Sequence, residues 1–519
     1  ECDINIVDAD YVTISNNYFK GYHSGIRIDG DYATIVDNSF ENCGIFITYY
    51  DTKGNTIGNN MVNGKPLVYL ENESNKTITN AGQVILNNCE DITVRDCEIL
   101  DVPSAIQLIK SSKCRIENNF LKGIAREVAS GVGEGIHLVN SDDNYLVDNT
   151  LTDFGFGIKL ERFSHNNRIE NNTLDNRNFF GISIAGNNNI VANNTLQGDD
   201  QDGNVAHITY GIIICSNSEQ TQILNNSIIS CVHGIKLDEL DSSTSQNYPT
   251  IVAKNKIINC INNGIIIYGD HLCEVRENEI TRSQFVNIRI LGASGIIENN
   301  NISNAPFGIS ASSAVHLQVL SNEFDNNEKA IYAEGPHEYY EWMYNCIAKN
   351  IFSNNDEAIN FKNYPRNTIV NNLFKNNDKA IYLINSPQNV IYLNEFIENN
   401  LDGYSDLPNR WYSSQKITYR YADSTFTNYL GNYYSSYGGK DENSDGIGDF
   451  PQQICGENPD SHPLMSLVRE YYFLPLVYTD IFGRNRIRPV FGQTYYVISQ
   501  NLSDFDAYDV LISLSLPSD

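Results

Sequence analysis

An all-β solenoid, a parallel coil of short strands, is the fold class this sequence predicts. Three observations carry that prediction. Gly-Ile or Ala-Ile dipeptides recur along most of the chain, most of them spaced roughly 19 to 30 residues apart. An Asn follows at a fixed place in most units, two positions ahead of a Leu, Ile or Phe. The apolar runs between are short and β-branched and alternate with period two, which excludes helices.

The elements follow in order. GIRI starts at Gly25, GIFI at Gly44, AIQL at Ala105, GIHL at Gly135, GIKL at Gly157 and GISI at Gly181. GIII at Gly211, GIKL at Gly234 and GIII at Gly264 continue the series, and NIRI at Asn287, GISA at Gly308, AIYA at Ala330, AINF at Ala358 and AIYL at Ala380 complete it. Each strand is expected to stack its Ile on the Ile of the next turn, about 4.8 Å away. The recurrent Asn, as at Asn149, Asn172, Asn194 and Asn226, is placed where the chain bends, its amide bonding the backbone and its stacked neighbours. Cysteines obey the same register. Cys97 replaces a ladder Asn, Cys114 and Cys273 stand where Asn55 and Asn167 do, and Cys43, Cys231 and Cys260 share a third site. Small buried side chains suit those places. Cys231 and Cys260 fall on successive turns, as a thiol stack or a disulfide.

The Asn-Gly-Ile repeats resemble the right-handed parallel β-helix of the NosD-like family. VNGKPLVYLENESNKTITNAGQVILNNCEDITV (62–94) resembles a block common in its archaeal members, as do ITYRYADSTFTNYLGNYYSSYGGKDENSDGIGDFPQQI (417–454) and DSHPLM (460–465). The resemblance spans roughly residues 1–465 and implies a secreted or surface-attached protein. It names a periplasmic accessory protein of copper-enzyme maturation. Copper favours Cys, Met and His, and 3 Met and 9 His scattered without a cluster do not carry that role over.

Three domains are expected: a β-helix over 1–403, a closing cap over 404–465 and a partial module over 466–519. Residues 404–437 abandon the repeat and turn aromatic, with Tyr404, Trp411, Tyr412, Tyr419, Tyr421, Tyr429, Tyr433, Tyr434 and Tyr437. They read as a cap over the open end of the coil, or else as an aromatic sugar platform. Within DENSDGIGD, Asp441, Asn443, Asp445 and Asp449 space their oxygens like the first half of a Ca²⁺ loop. Gln452 stands where an EF-hand has a bidentate Glu, so Ca²⁺ is expected without that motif. Asp199, Asp200, Asp202 and Asn204 form a second acidic loop. Residues 488–519 resemble the opening of an immunoglobulin-like adhesive module, which needs about 80–100 residues.

Acidic residues outnumber basic ones 64 to 35, a net charge of −29 that disfavours nucleic acid and anionic lipid as partners. No run of about 18 apolar residues marks a membrane span. The chain starts at Glu1 without a Met, as a processed protein or part of a longer one would. Asn-x-Ser/Thr acceptors stand at Asn72, Asn75, Asn171, Asn193, Asn225, Asn301 and Asn501. Alternation points Asn171, Asn193, Asn225 and Asn301 outward, open to a glycan.

The outward stripe of the Gly-Ile strands runs from Arg27 through His137, Lys159 and Lys236 to Tyr382 and carries no acidic residue. A hydrolase of the polygalacturonase kind needs paired carboxylates. The nearest catalytic candidates are His137 and Lys159 on successive turns, flanked by Glu134, Glu161 and Arg162. These readings favour a non-enzymatic extracellular protein: a surface-layer, sheath or filament component, or an adhesin, archaeal in origin. Its partners would be copies of itself, other surface proteins and glycans. The alternatives are a carbohydrate-active or carbohydrate-binding β-helix protein of the lyase or epimerase kind and, behind it, a copper-enzyme accessory protein.

Overall fold

The structure, a computed structural model, describes residues 4–501 apart from 8, 22–23, 49–52, 125–132, 162, 176–179, 199–207, 216–217, 239–248, 270–271, 315, 336–343, 455–457, 474–476 and 483–495. The chain divides into two compact units, Glu1–Ala293 and Ser294–Asp519. The acidic loop at 199–204 lies outside the described residues.

In the first unit each turn of the coil contributes three short strands, one to each of three parallel sheets. One turn lays down Glu134–Val139, Tyr145–Val147 and Thr150–Thr152, and the next lays down Phe156–Leu160, Arg168–Glu170 and Thr173–Asp175. Register is residue on residue: Ile136 pairs with Ile158, Leu146 with Ile169 and Leu151 with Leu174. The inward column Ile136, Ile158, Ile182, Ile212, Ile235 and Ile265 is fully buried. Each of these isoleucines contributes about 1.5–3 kcal/mol by leaving water.

The bend between the second and third sheets explains the Asn. One residue takes a left-handed backbone, as Asp148, Asn171, Asn193 and Asn225 do at φ 54–56°. The Asn after it turns inward. The Asn194 Oδ1 accepts from the Asn172 backbone N at 2.9 Å and from its Nδ2 at 3.0 Å, and the Asn172 Nδ2 also donates to the Leu146 O at 2.9 Å. Each amide therefore satisfies buried donors and acceptors on two turns at once. A second ladder, Asn144–Asn167–Asn189, does the same at another bend. The Cys97 N donates to Asn119 and the Cys114 N to Asn144, so each cysteine stands at the start of a ladder. Cys231 and Cys260 are buried free thiols.

The first three turns, through Met61–Val62, form a short coil of their own. Asn63 and Gly64, at φ 46° and 78°, then reverse the chain, and Lys65–Glu71 runs antiparallel to Met61–Val62. Two left-handed residues in a two-residue loop are what an Asn-Gly hairpin needs. The reversal leaves Gly44–Ile47 without a next strand. Two glutamines complete its edge: the Gln83 amide pairs with the N and O of Ile45 at 3.0 and 2.8 Å, and the Gln107 amide with those of Ile47 at 3.2 and 2.8 Å. This seats the end of the short coil against the outer face of the main Gly-Ile sheet.

The second unit repeats the plan with strands Phe307–Ser312, Lys329–Glu334, Glu357–Lys362, Lys379–Ile384 and Leu401–Ser405. Its core holds a stack of rings, Phe324–Phe352–Phe374–Phe396–Tyr434, with centroids 4.8–5.0 Å apart. Phe374→Leu should cost roughly 1–2 kcal/mol by opening a gap between two rings that cannot close it; denaturant melts measure this. After the coil, Ile417–Tyr421 and Ser424–Asn428 form a hairpin joined by Tyr472–Phe473. Trp411, Tyr419, Tyr434 and Tyr471 are buried there, so these rings serve packing. Val477–Phe482 pairs antiparallel with Tyr496–Asn501. Among the described residues no helix is long and apolar enough to cross a membrane.

Candidate functional site

The parallel register brings His137 and Lys159 side by side on the Gly-Ile sheet of the first unit. Two carboxylates join them from the strand ends, Glu134 before the Gly-Ile pair and Glu161 after it. The Lys159 Nζ lies 2.7 Å from the Glu161 Oε1 and 3.6 Å from the Glu134 Oε1. The His137 Nε2 lies 3.3 Å from the Glu161 Oε1 but off the line of a hydrogen bond. Its Nδ1 faces the Gln107 Nε2 at 3.5 Å. Although it points outward from the strand, His137 is only 1% exposed. The Phe46 ring, carried there by the hairpin reversal, stacks on it at 5.7 Å.

Burial works against the Glu161 charge, yet His137 and Lys159 hold its carboxyl well below the usual carboxylate range. Burial likewise works against the Lys159 charge, and Glu134 and Glu161 more than offset it, raising the ammonium. Glu161 is therefore a fixed anion and Lys159 a fixed cation. Neither is poised to exchange a proton near neutrality, so their part is to orient and to bind.

Beside this cluster lies a cleft of about 510 Å³, lined by Asn140, Lys159, Leu160, Glu161, Phe163, Ser183, Ala185 and Cys215. The Ser183 Oγ meets the Cys215 Sγ at 3.6 Å. Along the same face run stacked rings, Phe156–Phe180–Tyr210–His233, at 4.5, 5.6 and 5.0 Å. Lys159 sits over Phe156 and Lys236 over Tyr210. Burial, with Lys236 and Arg289 nearby, pushes His233 down to about 4, which keeps it neutral at pH 7.

Of the sequence candidates, His137, Lys159 and Glu161 thus meet at one place, with Glu134; Arg162 lies outside the described residues. Phe46, Phe163 and Cys215 were not foreseen there. The only sequence signal for Phe163 is an aromatic residue at a bend where other turns place Asn or Lys. The 441–449 loop is folded on itself: Asp441 accepts from the Asp445 and Gly446 N, Asp445 from the Ile447 N, and Asp449 from the Glu442 N. Among the described residues no group of three or more His, Cys, Asp or Glu is placed to hold a metal ion. The acceptors Asn72, Asn75, Asn171, Asn193, Asn225 and Asn301 are exposed, and the Asn501 side chain lies outside the described residues.

Residues 82–248 and 239–338 match the family described as right handed beta helix region, and residues 340–439 match the family described as periplasmic copper-binding protein (NosD). The chain belongs to the NosD-like right-handed β-helix family. No curated protein matches it. Among solved structures, this β-helix is similar to the Dettilon tailspike protein, with 16% identity, a TM-score of 0.34, and 57% of this chain and 60% of that one covered. It is also similar to a double-mutant tailspike of E. coli bacteriophage HK620 in complex with a pentasaccharide, with 10% identity, a TM-score of 0.34, and 80% and 76% covered. The chain thus spans less than two thirds of the Dettilon protein, and identities this low speak to the fold alone.

The expectation of a non-enzymatic protein is corrected at this point. It rested on an outward stripe without carboxylates. Glu134 and Glu161 enter the same face from the strand ends and meet at Lys159, so carboxylates do stand on it.

Proposed function

We propose that this β-helix protein works outside the cytoplasm on carbohydrate, holding a glycan along the Gly-Ile face of its first unit. The observation that carries this reading is the cleft beside Lys159 and Glu161. It falls in the size range of ligand sites, and its fixed polar groups converge on one side. A strand face that repeats about every 4.8 Å also suits a polymer of repeated units better than a single compact metabolite. Hydroxyl groups of a sugar can accept from the Lys159 ammonium and donate to Glu161 without either residue changing protonation.

Lys159→Met should weaken glycan binding at least tenfold, about 1.4 kcal/mol, while leaving the fold intact. Calorimetric titration with hits from a glycan array measures the loss, and mass spectrometry of the incubated glycan reports whether bonds are cut. An array on which nothing binds sinks the reading.

Two site readings accompany it. Asn171, Asn193, Asn225 and Asn301 are proposed as glycan acceptors, supported by their exposure, the first three at bends and Asn301 at the start of a strand; intact-mass analysis of native protein without added sugar removes them. The 441–449 loop is proposed as a Ca²⁺ site on the spacing of its oxygens. Asp441 and Asp449 accept backbone N–H groups there and keep further lone pairs that an ion could use. Titration with Ca²⁺ that yields no heat and no rise in melting temperature ends that proposal.

A further inference from the structure

Three preceding turns place Asn88, Lys110 and Asn140 at the bend after the Gly-Ile strand, all with left-handed backbone at φ 46–52°. The serine ladder aligns the next turn with them: the Ser111 N donates to the Ser141 Oγ, and the Ser141 N to the Ser164 Oγ. The aligned residue there is Phe163, at φ 62° and 68% exposed. A bulky aromatic residue in left-handed backbone is strained, and its exposed ring gains nothing from the core. The fold gives no reason for it. The turn after is two residues shorter: Ala185 follows Ile184, the partner of Leu160, and is succeeded at once by Gly186, whose N continues the ladder to the Ser218 Oγ, so no residue of that turn corresponds to Phe163. A large residue with no counterpart on the shorter turn beside it, where small Ala185 stands, makes a step, and the step is the 510 Å³ cleft.

The walls of this cleft divide in two. Phe163, Ala185 and Cys215 form an apolar side, and burial pushes the Cys215 thiol up, so it stays an uncharged S–H. Lys159, Glu161 and Ser183 form the polar side. Lys159 lies between two carboxylates, so among the described residues the cleft offers no unmatched cation to an anionic sugar. A ligand matched to it is neutral, has a donor and an acceptor close together, and carries a small apolar group beside them.

We infer that the cleft is a subsite for an N-acetylhexosamine unit, its ring against Phe163 and its acetamido methyl on Ala185, with the amide facing Lys159, Glu161 and Ser183. This rests on the proposed glycan-binding function and names the class of sugar it takes.

The test is calorimetric titration of the full chain with chitopentaose and cellopentaose, which share one linkage and differ only in an acetamido or hydroxyl group at each unit. The expected result is binding to chitopentaose at least tenfold tighter than to cellopentaose. Ala185→Leu, which fills the step, abolishes that difference. Phe163→Asn restores the residue other turns use, so its melting temperature holds or rises while chitopentaose affinity falls at least tenfold. Equal affinity for the two pentasaccharides overturns the inference, as does unchanged binding by Phe163→Asn. A glycan array separates the levels. Binding confined to glycans without an N-acetyl group overturns the inference alone, whereas binding to no glycan overturns the function as well.

Discussion

Asn226→Leu should destabilise the first unit by roughly 3 kcal/mol or more, since each buried polar group it strands costs about 1–3 kcal/mol. The Asn226 Oδ1 accepts from the Asn194 N and Nδ2 at 2.9 and 3.0 Å, and its Nδ2 donates to the Val191 O and the Asn255 Oδ1 at 2.9 and 3.0 Å. Leucine fills a similar volume but answers none of these groups. The neighbouring Asn225 supplies the control. It is exposed, and its left-handed backbone at φ 54° suits glycine, so Asn225→Gly should change stability by only about 0.5 kcal/mol. Chemical denaturation of both variants decides it; equal stability of the two would mean that the ladder does not hold the coil.

The second unit should loosen as pH rises from 5 to 8, through Asp460. The Asn ladder of that unit ends on this residue: the Asn394 Nδ2 donates to Asn432, and the Asn432 N and Nδ2 donate to the Asp460 Oδ2 at 2.8 and 3.1 Å. The His462 N and the Tyr434 hydroxyl donate to the same carboxyl. Burial pushes Asp460 up from 3.8 to about 7, against the pull of these donors. A carboxyl raised in the folded state favours folding when protonated. Its contribution is therefore complete below about pH 4 and lost as pH climbs through about 7, a difference of up to about 4 kcal/mol. The protection factors of the Asn432 and His462 amides, exchange corrected for its intrinsic rise with pH, should fall over that range. Asp460→Asn, which cannot ionise, should flatten the dependence, and an unchanged slope in that variant would assign the effect elsewhere.

The coil was legible because its signals are local and repeated. Once Ile136 and Ile158 stack, the register puts His137 beside Lys159, so the heart of the site could be read from spacing alone. What surrounds it could not. Phe46 reaches His137 only because Asn63-Gly64 turns the first coil back, and a periodic reading does not register a break that leaves the repeats on either side intact. The Asn-Gly pair was the available signal. Gln83 and Gln107 gave none, for their amides complete a strand edge 38 and 60 residues away in sequence. The central outward position carries no carboxylate, and the sequence shows Glu134 and Glu161 only as flanking residues; that both converge on Lys159 from the strand ends is visible only in the fold. The aromatic run after the coil was read two ways, and the burial of Trp411, Tyr419 and Tyr434 assigns those three rings to packing.

The most direct test of a glycan site on the Gly-Ile face is a crystal structure of the full chain soaked with the oligosaccharide that binds most tightly on an array. The account predicts sugar density in the cleft between Phe163 and Ala185, with hydroxyl or amide groups in hydrogen-bond contact with Lys159 and Glu161. Density only at the separate cleft of the second unit, bounded by Tyr421, Tyr433 and Tyr472, with the Gly-Ile face bare, would contradict it.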